Sequence, residues 1–227
     1  MFCYNFNTAC DRHGFVLGVH VSSGNVHDSV NFVPIFEQVK SKFPNMKAAV
    51  VDAGYVTPHI AKHCFDNDVI PVFPYKRPMT RKGLFSKHEY AYDEHFDVYI
   101  CPQDRILNFA TIDRDGYRIY HSKPYQCKDC PDLSRCTNSS NHQKVITRHI
   151  WSEHLEEANH LRHTSYNKKL YSLRSQTIER VFADMKEKHG MRYTHYRGKT
   201  KVRDEAMLAF ACMNMKKIAL WKWKNVA

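Results

Sequence analysis

No stretch of this chain reaches the ~18 uninterrupted apolar residues that a membrane-spanning helix needs, so no span is expected. Met1 to Cys10 lacks a basic region followed by an apolar run, so no secretory signal is expected either. There is no internal repeat and no low-complexity tract. Acidic residues are few beside basic ones: 23 Asp plus Glu against 34 Lys plus Arg leaves a formal charge of +11. That excess makes a polyanion the leading partner, without separating DNA, RNA and a lipid surface. With 43% hydrophobic residues the chain is not disordered, and 227 residues allow one or two domains with a core. Eight cysteines without an export signal read as thiols or metal ligands rather than disulfides.

Phe2, Tyr4 and Phe6 alternate with Cys3, Asn5 and Asn7 at strand period. A turn at Asp11 to Gly14 leads into a second strand, Phe15 to Val21, predicting a hairpin. The chain thus opens inside a sheet, which reads as a truncated N-terminus. Asp28 or Ser29 can cap a helix over about Val30 to Lys42, with Pro34 tolerated near its first turn. Ala48 to Val51 reads as a buried parallel strand, Pro58 opens a helix to about Asn67, and Val69 to Phe73 is a further strand. The alternation predicts an α/β layer. From Pro74 to about Ser140 prolines, tyrosines and four cysteines surround short strand candidates at Tyr99–Cys101, Ile106–Ala110 and Tyr117–His121. From Ser152 the pattern is helical: Ile178, Val181, Phe182 and Met185 form one stripe, and Asp204 to Lys222 a second helix. The expected divisions are 1–74, a β-rich insert at 75–150, and 151–227.

Asp52 ends an apolar strand and precedes Gly54, the place where open α/β sheets put functional carboxylates; it could equally cap the turn that follows. Glu179 lies beside the apolar stripe of its helix, flanked by Arg174 and Arg180, and could serve a site or an ordinary ion pair with Arg180 or Lys186. Together the two acids suggest a hard cation, Mg²⁺ or Mn²⁺, and in-line phosphoryl transfer, although a two-metal site usually takes a third acid. Cys127 and Cys130 form a CxxC pair, and with Cys101 and Cys136 they read either as structural zinc ligands or as four thiols in a small core, with His121 and His142 as spare ligands. Cys3, Cys10, Cys64 and Cys212 read as core residues.

Two basic clusters are interleaved with tyrosines. One holds Lys76, Arg77, Arg81, Lys82 and Lys87 with Tyr75 and Tyr90; the other holds Arg192, Arg197, Lys199, Lys201 and Arg203 with Tyr193 and Tyr196. Such mixtures suit backbone contact and base stacking, and also describe plain solvated surfaces. Lys216, Lys217, Lys222 and Lys224 add a basic C-terminal end. Asp93, Glu94 and Asp97 read as a surface or structural knot, and His27-Asp28-Ser29 as a helix cap.

Asp52-Ala53-Gly54-Tyr55 resembles the second-aspartate motif of DDE transposases from bacterial insertion sequences. Tyr171, Arg174, Glu179 and Lys186 resemble their third-acid signature, whose members are separated by two, three and six residues; here the intervals are two, four and six. Gly24-Asn25-Val26-His27-Asp28-Ser29, Pro74-Tyr75-Lys76-Arg77-Pro78, Thr147-Arg148-His149-Ile150-Trp151 and Ile178-Glu179-Arg180-Val181-Phe182-Ala183 are similar to the insertion-sequence 1182 family.

The resemblance implies a ribonuclease H-like mixed sheet flanked by helices, here lacking its first strand, with the β-rich, Cys-containing insert before the last catalytic helix. It implies Mg²⁺ held by two Asp and one Glu, with cleavage and joining of transposon ends and target DNA. Asp52 and Glu179 would be the second and third acids. Arg174, Arg180, Lys186, Arg192, Tyr196 and Arg197 would contact DNA. The first Asp would lie on a strand upstream of the hairpin, with Asp11 and Asp28 as substitutes, so a fragment inactive alone is expected. A cytoplasmic, nucleoid-associated protein, self-associating on DNA and free of membrane, would follow. The alternative is a non-catalytic, zinc-stapled DNA-binding protein that competes with an intact transposase.

Overall fold

The computed structural model describes residues 3–77 and 79–226, without side chains from 223 onward; Phe2, Pro78 and the side chain of Lys224 lie outside it. The chain divides into two compact units, 1–75 with 154–227, and 76–153. No helix among the described residues is long and apolar enough to cross a membrane.

The first unit opens with an antiparallel hairpin, β1 (Tyr4–Cys10) and β2 (Val16–Ser23). The turn requires Gly14, whose φ is +76° and whose hydrogen faces Lys217; a Cβ there would lie 2.5 Å from Lys217 Nζ. Helix α1 (Asp28–Lys42) follows. Its cap is His27, not Asp28 or Ser29: Ser29 N–H donates to His27 Nδ1 at 3.2 Å. The capping role expected of Asp28 is thus taken by its neighbour. β3 (Ala48–Val50) pairs in parallel with β4 (Ile70–Val72), joined by a 3₁₀ turn at Ala53–Tyr55 and α2 (Pro58–Asp66), where Thr57 caps and Pro58 opens the helix.

The second unit is a five-stranded antiparallel meander in chain order: β5 (Ala91–Asp93), β6 (Val98–Ile100), β7 (Ile106–Ile112), β8 (Tyr117–His121) and β9 (Val145–His149). Two single-turn helices, α3 (Pro124–Cys127) and α4 (Leu133–Cys136), lie between β8 and β9 in sequence. Its core is aromatic: Phe85, Tyr90, Tyr99 and Tyr120 around Leu107 and Ile146. A buried tyrosine needs a partner for its hydroxyl, and Asp97 supplies one. Asp97 Oδ1 accepts from Tyr120 at 2.5 Å and Tyr92 at 2.8 Å, and Oδ2 meets Arg118 at 3.1 Å. Tyr90 is core as well, so its expected place in a stacking surface is corrected.

The chain ends in helices α5 (Ser152–Leu161), α6 (Ser165–Ser172), α7 (Ile178–Lys188) and α8 (Lys199–Val226). In the first unit Val19 and Val21 of β2 pack with Val181 and Met185 of α7 and with Val202, Ala206, Phe210 and Met213 of α8. A second cluster joins Phe32 and Phe36 of α1 to Ile60, Ala61 and Cys64 of α2, Val69, Phe73 and Ala158. Asn214 fastens α8 to β2: its side chain accepts from Val16 N–H at 3.0 Å and donates to Val16 O at 2.8 Å. Lys217 donates to the carbonyls of His13 and Gly14, and Trp221 stacks on Phe15 at 5.6 Å.

The core role expected of four cysteines holds for Cys64, while Cys3 and Cys212 are exposed and Cys10 is half-buried. Burial pushes the Cys64 thiol up from 9 to about 12. A folded-state value raised this way contributes stability fully below pH 9, and the contribution is lost as pH climbs from 9 towards 12. Urea unfolding across that range should show stability falling with pH, with Cys64 accounting for at most roughly 4 kcal/mol at the top. Cys64→Ala should lose less over the same range; parallel slopes for the two proteins would refute the assignment.

Candidate active site

Asp52 follows β3 and begins the 3₁₀ turn, where its Oδ1 accepts from Gly54 N–H at 3.0 Å. The sequence left open whether it caps a turn or faces a site; the cap is what this contact shows. Its other oxygen, Oδ2, lies 3.4 Å from Arg174 Nη2. Arg174 stands on the 3₁₀ segment Leu173–Gln176 just ahead of α7, and its Nη1 lies 3.9 Å from Glu179 Oε1. One guanidinium therefore joins Asp52 to Glu179 across 127 residues of sequence. Both contacts are loose, and Glu179 is more than half exposed, so the arrangement contributes little to stability. Glu179 pairs with Arg174 rather than with Arg180 or Lys186.

A third carboxylate belongs to this neighbourhood. A Cβ placed on Gly54 would lie 3.3 Å from both Asp28 Oδ2 and Asp52 Oδ1, so the two acids flank one glycine. The sequence named Asp28 both as a helix cap and as a substitute for the first acid; His27 takes the cap. Tyr55 lies beside them, donating to Asn7 Oδ1 at 2.6 Å. Burial first, then the charges of Asp28 and Asp52, push its phenol up, against an opposite pull from Arg174. Asp28, Asp52, Tyr55, Arg174 and Lys186 all line one cavity of about 970 Å³ in the first unit. Asp11 lies on the lining as well, at the hairpin turn, where its Oδ1 accepts from the N–H groups of His13 and Phe15.

The other basic side chains named from the sequence, Arg180, Lys186, Arg192 and Arg197, are exposed, as is Tyr196. Arg192 is ion-paired with Glu187. Tyr193 and Tyr196 stand free enough of the core to stack on a base, at 72% and 51% exposure.

In the second unit Cys101, Cys127, Cys130 and Cys136 all line one small cavity of about 20 Å³. They are free thiols; Arg105 N–H donates to Cys101 Sγ at 3.3 Å, and Cys136 Sγ is 3.1 Å from the Tyr90 hydroxyl. Among the described residues, however, no group of three or more His, Cys, Asp or Glu side chains is arranged to hold a metal ion. The zinc expectation therefore gains no support, and the thiols read as part of a small core. The oxygen donors of Asp52 and Glu179 suit a hard cation chemically; Arg174, lying against both, is the group that now links them.

A family model described as Transposase DDE domain matches residues 100–219, 120 of the chain's 227 residues. The chain belongs to that family. The match covers the four-cysteine cavity, Arg174, Glu179 and most of α8 of this transposase DDE domain; Asp52 lies outside it. No curated protein and no solved structure matches the chain.

Proposed function

We propose that this transposase DDE domain works in DNA transposition, cutting and joining DNA strands with Asp52 and Glu179 as ligands of Mg²⁺ or Mn²⁺. The observation that carries the reading is the Arg174 bridge, which joins the two acids named from sequence within a chain of this family. The ion would activate the attacking oxygen and stabilise the leaving one. Arg174 and Lys186, lining the same cavity, would bind the phosphate. Arg180, Arg192 and Arg197 would hold the flanking backbone, with Tyr196 against a base. The core is read as ribonuclease H-like, and the element as an insertion sequence of the 1182 type. Because the Arg174 guanidinium lies against both acids, where a cation would have to sit, the chain is read as binding DNA but leaving it uncut by itself.

Gel shift and nicking on DNA bearing element ends, with Mg²⁺ and with Mn²⁺, test this. Salt-sensitive binding with no nicking is expected. Robust nicking abolished by Asp52→Ala would keep the acids and overturn the inactivity read from Arg174. No binding at 50 mM salt would overturn the whole reading.

A further inference from the structure

Helix α8 has two apolar sides, and its own unit covers one of them. Val202, Ala206, Phe210 and Met213 are buried with residues of β2 and α7. Further along, Lys217 donates to the carbonyls of the hairpin turn and Trp221 stacks on Phe15. Anchors towards both ends fix the rotation of the helix, and with it the face turned outward. At about 100° per residue, the positions opposite the core are Asp204, Leu208, Ala211, Met215, Ile218 and Lys222. All six are exposed, with Leu208 at 68%, Met215 at 61% and Ile218 at 46%.

These positions are spaced by four, three, four, three and four residues, the a/d repeat of a coiled-coil seam. Met207, Cys212 and Ala219 beside the seam are exposed and uncharged as well. A surface helix ordinarily carries one apolar stripe, and a second one marks a second covered side. The four inner positions of the seam are apolar, and its two ends carry opposite charges, Asp204 and Lys222. Asp204 meets Arg203 at 3.2 Å, an exposed neighbour pair that holds it weakly.

The end charges decide what the seam fits. Lay it antiparallel on a second α8, with Met213 as the common midpoint. Leu208 then meets Ile218 of the second copy, Ala211 meets Met215, and Asp204 meets Lys222. Each contact sets an a position against a d position, with small against large near the centre and opposite charges at the ends. Symmetry makes each contact twice. Laid parallel in register, Asp204 would face Asp204 and Lys222 would face Lys222, like charge on like charge. The seam runs about 27 Å, and half the girth of a helix about 11 Å wide gives about 450 Å² per copy. The total of about 900 Å² lies at the low end for specific association.

We propose that the outward face of α8 is a dimer interface taking a second copy of this chain, α8 antiparallel against α8. The pair is two-fold symmetric and closes on itself, so it makes dimers and not chains of copies. The inference rests on the two faces of one helix and goes beyond the catalytic reading, since it needs neither metal nor DNA.

Sedimentation equilibrium of the full chain without DNA, from about 1 to about 300 μM, tests it. A monomer–dimer equilibrium with Kd on the order of 10 μM is expected from an interface of this size. Leu208→Glu puts a charge into the seam and should weaken dimerisation at least ~30-fold. Val30→Glu, at a similarly exposed apolar residue of α1 (66%), should change Kd less than ~2-fold. Asp204→Lys sets lysine against lysine at both ends and should weaken dimerisation about 10-fold, and adding Lys222→Asp should restore it. At about 1 μM, where the monomer dominates, all variants should melt within about 2 °C of the original chain, which separates the interface from the fold. A Kd indifferent to Leu208→Glu would overturn the proposal. Equal Kd for the original chain, Asp204→Lys and the double variant would mean a parallel pair and overturn the antiparallel one. A chain monomeric at 300 μM would overturn it too, and if peptide mapping then showed Cys212, exposed here, resisting maleimide, another segment of the same chain would be the occupant. Neither DNA binding nor nicking is read, so the catalytic proposal and this one fail separately.

Discussion

Replacing Lys186, Arg192 and Arg197 together by alanine is expected to weaken duplex DNA binding about 100-fold at 0.15 M salt. Each lysine or arginine on a phosphate releases about 0.9 counterion, and at that salt each release contributes roughly a factor of five. The slope of log affinity against log salt should flatten by about 2.7. All three side chains are exposed, so the fold should not be disturbed. Arg192 must leave Glu187 to reach a phosphate, which makes its share the smallest of the three. Lys62→Ala serves as control, since Lys62 is paired with Asp66 at 2.6 Å on α2 and is not one of the residues placed on DNA. If the triple variant keeps the wild-type slope, DNA lies on a different surface.

The second large effect concerns stability. Asp97→Ala removes the common acceptor of Tyr92 and Tyr120 and the partner of Arg118. Tyr120 is fully buried, so its hydroxyl would be stranded. A stranded buried donor costs about 1–3 kcal/mol, and the half-exposed neighbours add less, giving about 3 kcal/mol in urea unfolding. Asp97 also has φ +50°, which aspartate tolerates better than alanine. Asp97→Asn keeps an acceptor and should cost about half as much. Burial opposes the charge on Asp97, but hydrogen bonds from Tyr120, Tyr92 and Arg118 prevail and hold its carboxyl below the ordinary range. Its contribution is therefore present above pH 3.8 and is lost as pH falls through the lower folded value. A cost under 1 kcal/mol for the alanine variant would mean that water replaces the carboxylate at the tyrosines.

Much of this was legible from local pattern. The alternation of Tyr4, Phe6 and their neighbours announced β1, and the apolar run from Ala48 announced β3. β9 was not recognised because Thr147, Arg148 and His149 carry almost no apolar signal; Ile146 alone is buried. The start of α8 was placed at Asp204 and lies at Lys199, since a single buried residue, Val202, does not make a period. Asp52 and Glu179 could be named from sequence, but the guanidinium between them could not: it joins elements whose proximity is a property of packing. The same holds for Asp28 beside Gly54.

The clasp of Asn214 on Val16 sets a schedule. The two residues are 198 positions apart, and at ~5–20 residues per second the ribosome needs about 10–40 s to span them. For that time each nascent hairpin lacks the helix that covers Val19 and Val21. Loop closure of this length is slow to reward, and an uncovered strand edge invites foreign pairing meanwhile. The yield of native protein should therefore depend on how fast the chain is translated, and on how many unfinished copies share one message.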